Sequence, residues 1–245
     1  MGKSNKAGDK SLYIQQNSKL KEELKIKERF DFTDKQKEII ERGMHKDTRC
    51  IMIDGLWGTS KSYLATLISL KLLSDKRIDQ IMYVRNPIES SSSGKIGFIK
   101  GEISEKMAPY NEIFFNKLEE LLSRQEIDKL EKEGRIACLP LGFTRGLSWN
   151  CKAIIVDEAA SLSWDDILLL LTRCGEFTRI FLIGDSENQN DIGTKSGFKK
   201  IFDLFSDDES KQNGTFTYEL KNKSDILRSG FVRFVMDKVG KAKKD

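Results

Sequence analysis

The sequence has only four cysteines in 245 residues, Cys50, Cys138, Cys151 and Cys174, and no two of them form a CxxC pair. That scatter argues against a zinc site or a disulfide framework and leaves them as small apolar residues suited to a reducing compartment. No stretch approaches the roughly 18 consecutive apolar residues that a membrane span requires, so no membrane partner is expected. The first residues, MGKSNKAGDK, carry charge without an apolar segment behind it, which reads against a secretory leader and predicts a cytoplasmic protein. No internal repeat is visible.

Apolar residues make up 38% of the chain and charged residues 33%, a polar balance that still permits a substantial core. The formal net charge of +4 is unevenly placed, because residues 1–29 hold eight Lys/Arg against four Asp/Glu while the rest of the chain is balanced. This divides the chain into a basic, partly disordered extension (1–29), a folded domain (30–238) and a Lys-rich tail (239–245). A basic arm attracts phosphate backbones, so single-stranded RNA or DNA is one partner it would suit, and a solubilising tail is the plainer reading. Within the arm, KLKEELKIKERF predicts a short helix.

Beyond the arm, strands and helices alternate. Thr33 is placed to cap a helix over DKQKEIIERGM, and strands are predicted at CIMID, QIMYVR (80–85), RIACL (135–139), KAIIVD (152–157), RIFLIG (179–184) and TFTYEL. Helices are predicted over 61–73, 103–124, 126–133, after Ser163 with Asp166 in a capping box, after Ser196, and over 226–239. A long polar loop, NPIESSSSGKIGFIKGE, follows the second strand. Short apolar strands between helices imply an α/β fold with a mostly parallel sheet covered on both faces, whose ligands sit beyond the strand C-termini.

The segment GLWGTSKS, Gly55 to Ser62, follows a strand and opens a helix, the setting that a phosphate-binding loop needs. Backbone amides from Gly58 through Thr59 and Ser60 to Ser62 would wrap the β-phosphate at a helix N-terminus, within a cofactor-binding stretch that includes Gly55, Leu56, Trp57 and Tyr63. Lys61 would reach the β and γ phosphates and Ser62 would ligate Mg²⁺, making ATP with Mg²⁺ the expected cofactor pair. Ser60 stands where the usual pattern has glycine, and a Cβ there costs about 1–2 kcal/mol if the position needs positive φ. An ordinary strand-to-helix turn is the competing reading.

About a hundred residues later, AIIVDEAA puts Asp157 and Glu158 at the end of an apolar strand. Asp157 would help hold Mg²⁺, and Glu158 would orient and deprotonate an attacking water, because phosphoryl transfer needs positioning and charge neutralisation. The next strand ends in Asp185 and runs to Gln189 and Asp191, polar groups placed to sense a γ-phosphate. Arg145, Arg173 and Arg228 are candidates for a charge-neutralising arginine.

In this order, the motifs resemble the PhoH-like ATPases of bacteria and their phages. The resemblance spans roughly Phe32 to Val235, and its most specific part is RNPIESSSSGKIGFIKGEISEKMAPY, with Arg85 at the strand end. It implies a P-loop NTPase with one RecA-like, helicase-type lobe. It implies further that Gln36 reads the adenine edge, that Arg85 and Arg145 line the nucleotide or coupling region, and that Arg228 is the late-motif arginine. A single lobe would borrow the second wall of its site from a neighbour, so a homo-oligomer, a hexameric ring, is expected. Hydrolysis coupled to RNA or DNA is the leading expectation. A nucleotide-gated assembly module with little hydrolysis is the alternative, motivated by Ser60, by Leu147 where a second arginine is usual, and by one extra residue in GDSENQND.

Overall fold

The computed structural model describes residues 23–29, 31–85, 103–144, 146, 148–188 and 192–242. Its centre is a six-stranded sheet made of β1 (Cys50–Gly55), β2 (Gln80–Arg85), β3 (Ile136–Pro140), β4 (Lys152–Val156), β5 (Arg179–Gly184) and β6 (Thr215–Leu220). The order is β3-β2-β4-β5-β1-β6 and every pairing is parallel. All six strands that the sequence predicts are present, and the fold is the α/β kind expected of a P-loop NTPase.

Parallel strands need covered faces, and residue alternation divides the strands between two cores. Ile51 and Ile53 of β1, with Ile81 and Tyr83 of β2, point to the side of α1 (Asp34–Met44), α2 (Lys61–Ser74), α3 (Ile103–Glu119) and α4 (Arg124–Lys132). Cys50, Met52, Met82 and Val84 point to the other side, where α5 (Trp164–Leu171) and α6 (Phe198–Leu204) pack. Helix α2 is central: Tyr63 to Leu70, with Leu72 and Leu73, are all buried. Two further helices, α7 (Asp208–Gln212) and α8 (Gly230–Ala242), flank β6.

Three boundaries differ from expectation. The long helix predicted to residue 124 stops at Glu119, because Ser123 forms a capping box with Glu126 and starts α4. The last helix begins at Gly230 rather than 226, since the Leu227 amide donates to the Gly58 carbonyl at 3.0 Å and holds that stretch extended. The described part of the predicted N-terminal helix, 23–29, is also extended. Its amides donate outward: Leu24 to Ser74 Oγ, Lys25 to Glu126, Lys27 to the Leu121 carbonyl and Arg29 to Tyr63 Oη. LKIK therefore reads with period two, and Leu24 and Ile26 turn to the core. The polar 86–101 loop lies outside the described residues.

Candidate functional site

Six parallel strands bring their C-terminal ends to one edge, and β5 lies between β1 and β4. The loop after β1, the acids after β4 and Asp185 after β5 are thus neighbours although they are far apart in sequence. The loop and the β4 acids border a cleft of about 330 Å³ lined by Trp57 to Tyr63, Asp157, Glu158 and Arg228, together with Arg29, Lys117 and Glu120, with Asp185 buried behind it.

The loop is held by close backbone approaches. A Cβ on Gly55 would lie 2.7 Å from the Leu220 carbonyl of β6, so glycine is required there. Gly58 takes φ +80 and Ser60 takes φ +61, so the serine occupies the left-handed conformation that favours glycine. Lys61 Nζ donates to the carbonyls of Gly55 and Leu56 at 2.7 and 2.9 Å. Burial lowers the Lys61 pKa, opposed by the charges of Asp185, Asp157 and Asp54.

Ser62 Oγ donates to both oxygens of Asp157, at 3.0 and 3.1 Å, joining the first turn of α2 to the end of β4. Burial alone would raise the Asp157 pKa. The Lys117 ammonium at 3.7 Å and the hydroxyls of Tyr83 and Ser62 outweigh it and hold the carboxyl below its ordinary range. Burial and Asp157 in turn push the Tyr83 phenol upward, keeping it a donor to that carboxylate. A hydroxyl and an ionised carboxylate this close are hard oxygens fit for one shared divalent cation. Among the described residues no group of three or more His, Cys, Asp or Glu could cage a metal, so a cation here would draw its other ligands from phosphates and water.

Glu158 follows at φ +56, a strained conformation that costs of order 1–3 kcal/mol outside glycine. Its two carboxylate oxygens accept from Arg85, one from Nε at 2.9 Å and the other from a terminal nitrogen. Asp185 is 2% exposed and accepts from the amides of Glu187 and Asn188, which fixes the turn after β5.

The sequence-derived assignments meet this geometry unevenly. Trp57 to Tyr63, Asp157, Glu158 and Arg228 come together at the cleft, Gly55 and Leu56 stand behind it with their carbonyls on Lys61, and Arg85 reaches it through Glu158. Gln36 is fully buried; its amide nitrogen donates to the carbonyls of Thr59 and Asp225 at 3.2 and 3.0 Å, and its oxygen accepts from the Thr33 amide. The Thr59 bond ties α1 to the loop, the Asp225 bond ties it to the turn before α8, and the Thr33 bond belongs to the helix's own capping box. Arg173 lies away from the cleft. It ends the turn after α5, where its carbonyl accepts from the Trp149 amide just before β4. That is the opposite edge of the sheet, a strand length of about 17 Å away, so Arg173 does not serve the cleft of its own chain. Arg145, Leu147, Gln189 and Asp191 lie outside the described residues.

Tyr83, Lys117, Arg29, Glu120 and Asp54 were not singled out from the sequence. Asp54 is fully buried at the end of β1, where it accepts from the Ser186 amide at 2.9 Å and pairs with Lys221 at 3.3 Å. Arg29 stacks on the Tyr63 ring at 5.1 Å and pairs with Glu120 at 3.0 Å, making the extended N-terminal segment one wall of the cleft. A tyrosine in a buried strand must find a partner for its hydroxyl, which is the one signal that pointed to Tyr83.

Comparison with known proteins places the chain among its relatives. The chain is 31% identical over 152 residues to a PhoH-like protein of Mycobacterium tuberculosis, covering 61% of this chain and 42% of that protein. A PhoH-like protein of Synechocystis is 28% identical over 195 residues, 79% of this chain and 56% of its own length. One of Bacillus subtilis is 31% identical over 142 residues, 57% of this chain and 44% of its own. The aligned regions thus span about half of these relatives. The family model described as PhoH-like protein matches residues 30–239, nearly all of the folded region, and with the phosphate-type loop and strand-end acids in place the chain belongs to the PhoH-like family.

Proposed function

We propose that this protein binds ATP with Mg²⁺ and hydrolyses it, and that hydrolysis is coupled to single-stranded RNA or DNA by subunits assembled as a homo-oligomer, a hexameric ring. The observation that carries the reading is the Ser62–Asp157 contact, which puts a hydroxyl and an ionised carboxylate beside Lys61 at the head of a buried helix. Membership in a P-loop NTPase family supports nucleotide hydrolysis as the reaction class.

The residues divide the work. Amides from Gly58 to Ser62 and the α2 N-terminus bind phosphate, and the buried Lys61 ammonium turns from its loop carbonyls to the β and γ oxygens. Ser62 and Asp157 would hold Mg²⁺, which when bound neutralises charge on the transferred phosphoryl group. Glu158 orients water and accepts its proton after Arg85 lets go, since both carboxylate oxygens are otherwise spent on that guanidinium. Arg228 lies beside Gly58, its Cβ 3.4 Å from where a Cβ on that glycine would stand, and supplies positive charge at the rim.

The oligomer follows from the cleft's open side. Trp57 at 40% exposure and, on α8, Phe231 at 72% and Phe234 at 57% leave aromatic surface next to the loop for a neighbouring copy to cover. A weaker second reading, ATP-gated assembly without useful turnover, draws on the left-handed Ser60 and the Arg85-bound Glu158.

Steady-state ATP hydrolysis, with light scattering for mass, tests both readings on wild type, Lys61→Ala and Glu158→Gln, with and without single-stranded nucleic acid at low salt. The proposal expects Mg²⁺-dependent turnover, lost in both variants and raised by nucleic acid. Assembly with ATP but no turnover in wild type favours the gate, and turnover that Lys61→Ala leaves intact defeats both.

A further inference from the structure

At the other edge of the sheet, where the strands begin, four cations meet that the nucleotide cleft does not use. Lys46 follows α1, Arg49 precedes β1, Arg77 lies between α2 and β2, and Arg179 opens β5. With Phe177 they line a pocket of about 20 Å³.

Part of this charge is already answered. A terminal nitrogen of Arg179 donates to the His45 carbonyl, and one of Arg77 donates to the Met44 carbonyl, so the negative end of α1 takes up two guanidiniums. The rest is not. Arg179 is 5% exposed, yet its Nε has no hydrogen-bond partner among the described residues. Burial, then the charges of Arg77 and Arg49, push its pKa down to about 10, and Asp47 is the acid that opposes them. Asp47 is itself exposed and lies 3.7 Å from the His45 ring. Among the described residues Asp47, exposed and beside the His45 ring, is the one acid set against three guanidiniums around one small pocket, so the cluster gains stability from an anion it can recruit.

We propose that this pocket is a second oxyanion site, one that takes a phosphate group independently of the nucleotide cleft. The pocket has room for a single water-sized group, so one phosphate oxygen enters to accept from Arg179 Nε. The remaining oxygens stay at the mouth with Lys46 and Arg49, which are exposed. Guanidinium forks match the oxygens of phosphate better than a compact halide. The group could be free inorganic phosphate or a backbone phosphate of a nucleic acid.

The test uses the full chain carrying Lys61→Ala, which silences phosphate binding at the cleft. Its thermal midpoint is followed in phosphate, acetate and chloride at equal ionic strength, with and without Arg49→Ala, an exposed change that the fold tolerates. A saturable rise specific to phosphate is expected, with the half-saturating concentration increased about tenfold by Arg49→Ala, the loss of one charge-assisted contact. In parallel, anisotropy of a labelled single-stranded RNA identifies the source. Binding weakened both by Arg49→Ala and by added phosphate assigns the site to a nucleic-acid backbone, and RNA binding indifferent to both assigns it to the free anion. A midpoint that rises equally in acetate, does not rise in phosphate, or rises regardless of Arg49 overturns the proposal.

Discussion

Ser60 holds φ +61 in the middle of the phosphate loop, a conformation that costs an L-residue about 1–2 kcal/mol. Glycine would remove that strain and return part of the gain as greater freedom of the unfolded chain. Ser60→Gly should therefore stabilise the protein by about 0.5–1 kcal/mol in urea denaturation, and a loss of stability would show that the hydroxyl or Cβ is needed. Asp157 gives a pH signature. Burial raises its pKa, but Lys117, Tyr83 and Ser62 hold it lower than an ordinary aspartate. The stabilisation from its charge is complete above the unfolded value and drains as pH falls through the lower folded value. Wild type should thus lose more stability than Asp157→Asn as pH falls below about 4, the ordinary aspartate value, and parallel pH profiles would remove the ion-pair account. Lys61, Ser62 and Asp157 were legible in the sequence because their chemistry is set by position along a short motif. Lys117 and Tyr83 were not, because they reach Asp157 from α3 and β2 through packing that no local pattern encodes.

Among the elements, the insertion of β5 between β1 and β4 makes the site, since it sets the loop and the acids one strand apart. The six strands were readable as apolar runs, and the helices capped by Thr33 and Ser163 as capping residues followed by periodic apolar positions. Strand order was not, because parallel pairing depends on contacts between segments distant in sequence. The same reason hid the extended course of residues 23–29 and of 226–229, whose amides bond to partners elsewhere in the fold. Gln36 shows what such long-range bonds do, because it joins α1 to the loop at Thr59 and to the turn at Asp225. Gln36→Ala leaves buried carbonyls without donors and should cost about 2–4 kcal/mol, read as a lower thermal midpoint together with weaker nucleotide binding. A midpoint unchanged by the substitution would mean that the loop is braced by the Leu227 contact alone.

At the scale of the whole molecule, one sheet presents two chemically different edges. The C-terminal edge gathers Lys61, Ser62, Asp157 and Glu158 around a cleft, and the N-terminal edge gathers arginines around a pocket too small for more than one oxygen. Among the described residues no helix is long and apolar enough to cross a membrane. Helix α8 leaves Phe231 and Phe234 exposed. The central claim is that the loop around Lys61 and the carboxylate of Asp157 grip one Mg-nucleotide. Calorimetric titration of a non-hydrolysable ATP analogue, with and without Mg²⁺, into wild type, Lys61→Ala and Asp157→Asn tests it most directly. Saturable binding to wild type is predicted, strengthened by Mg²⁺, lost in Lys61→Ala, and stripped of its Mg²⁺ dependence in Asp157→Asn. Binding that is absent from wild type, or as tight in Lys61→Ala as in wild type, would contradict it.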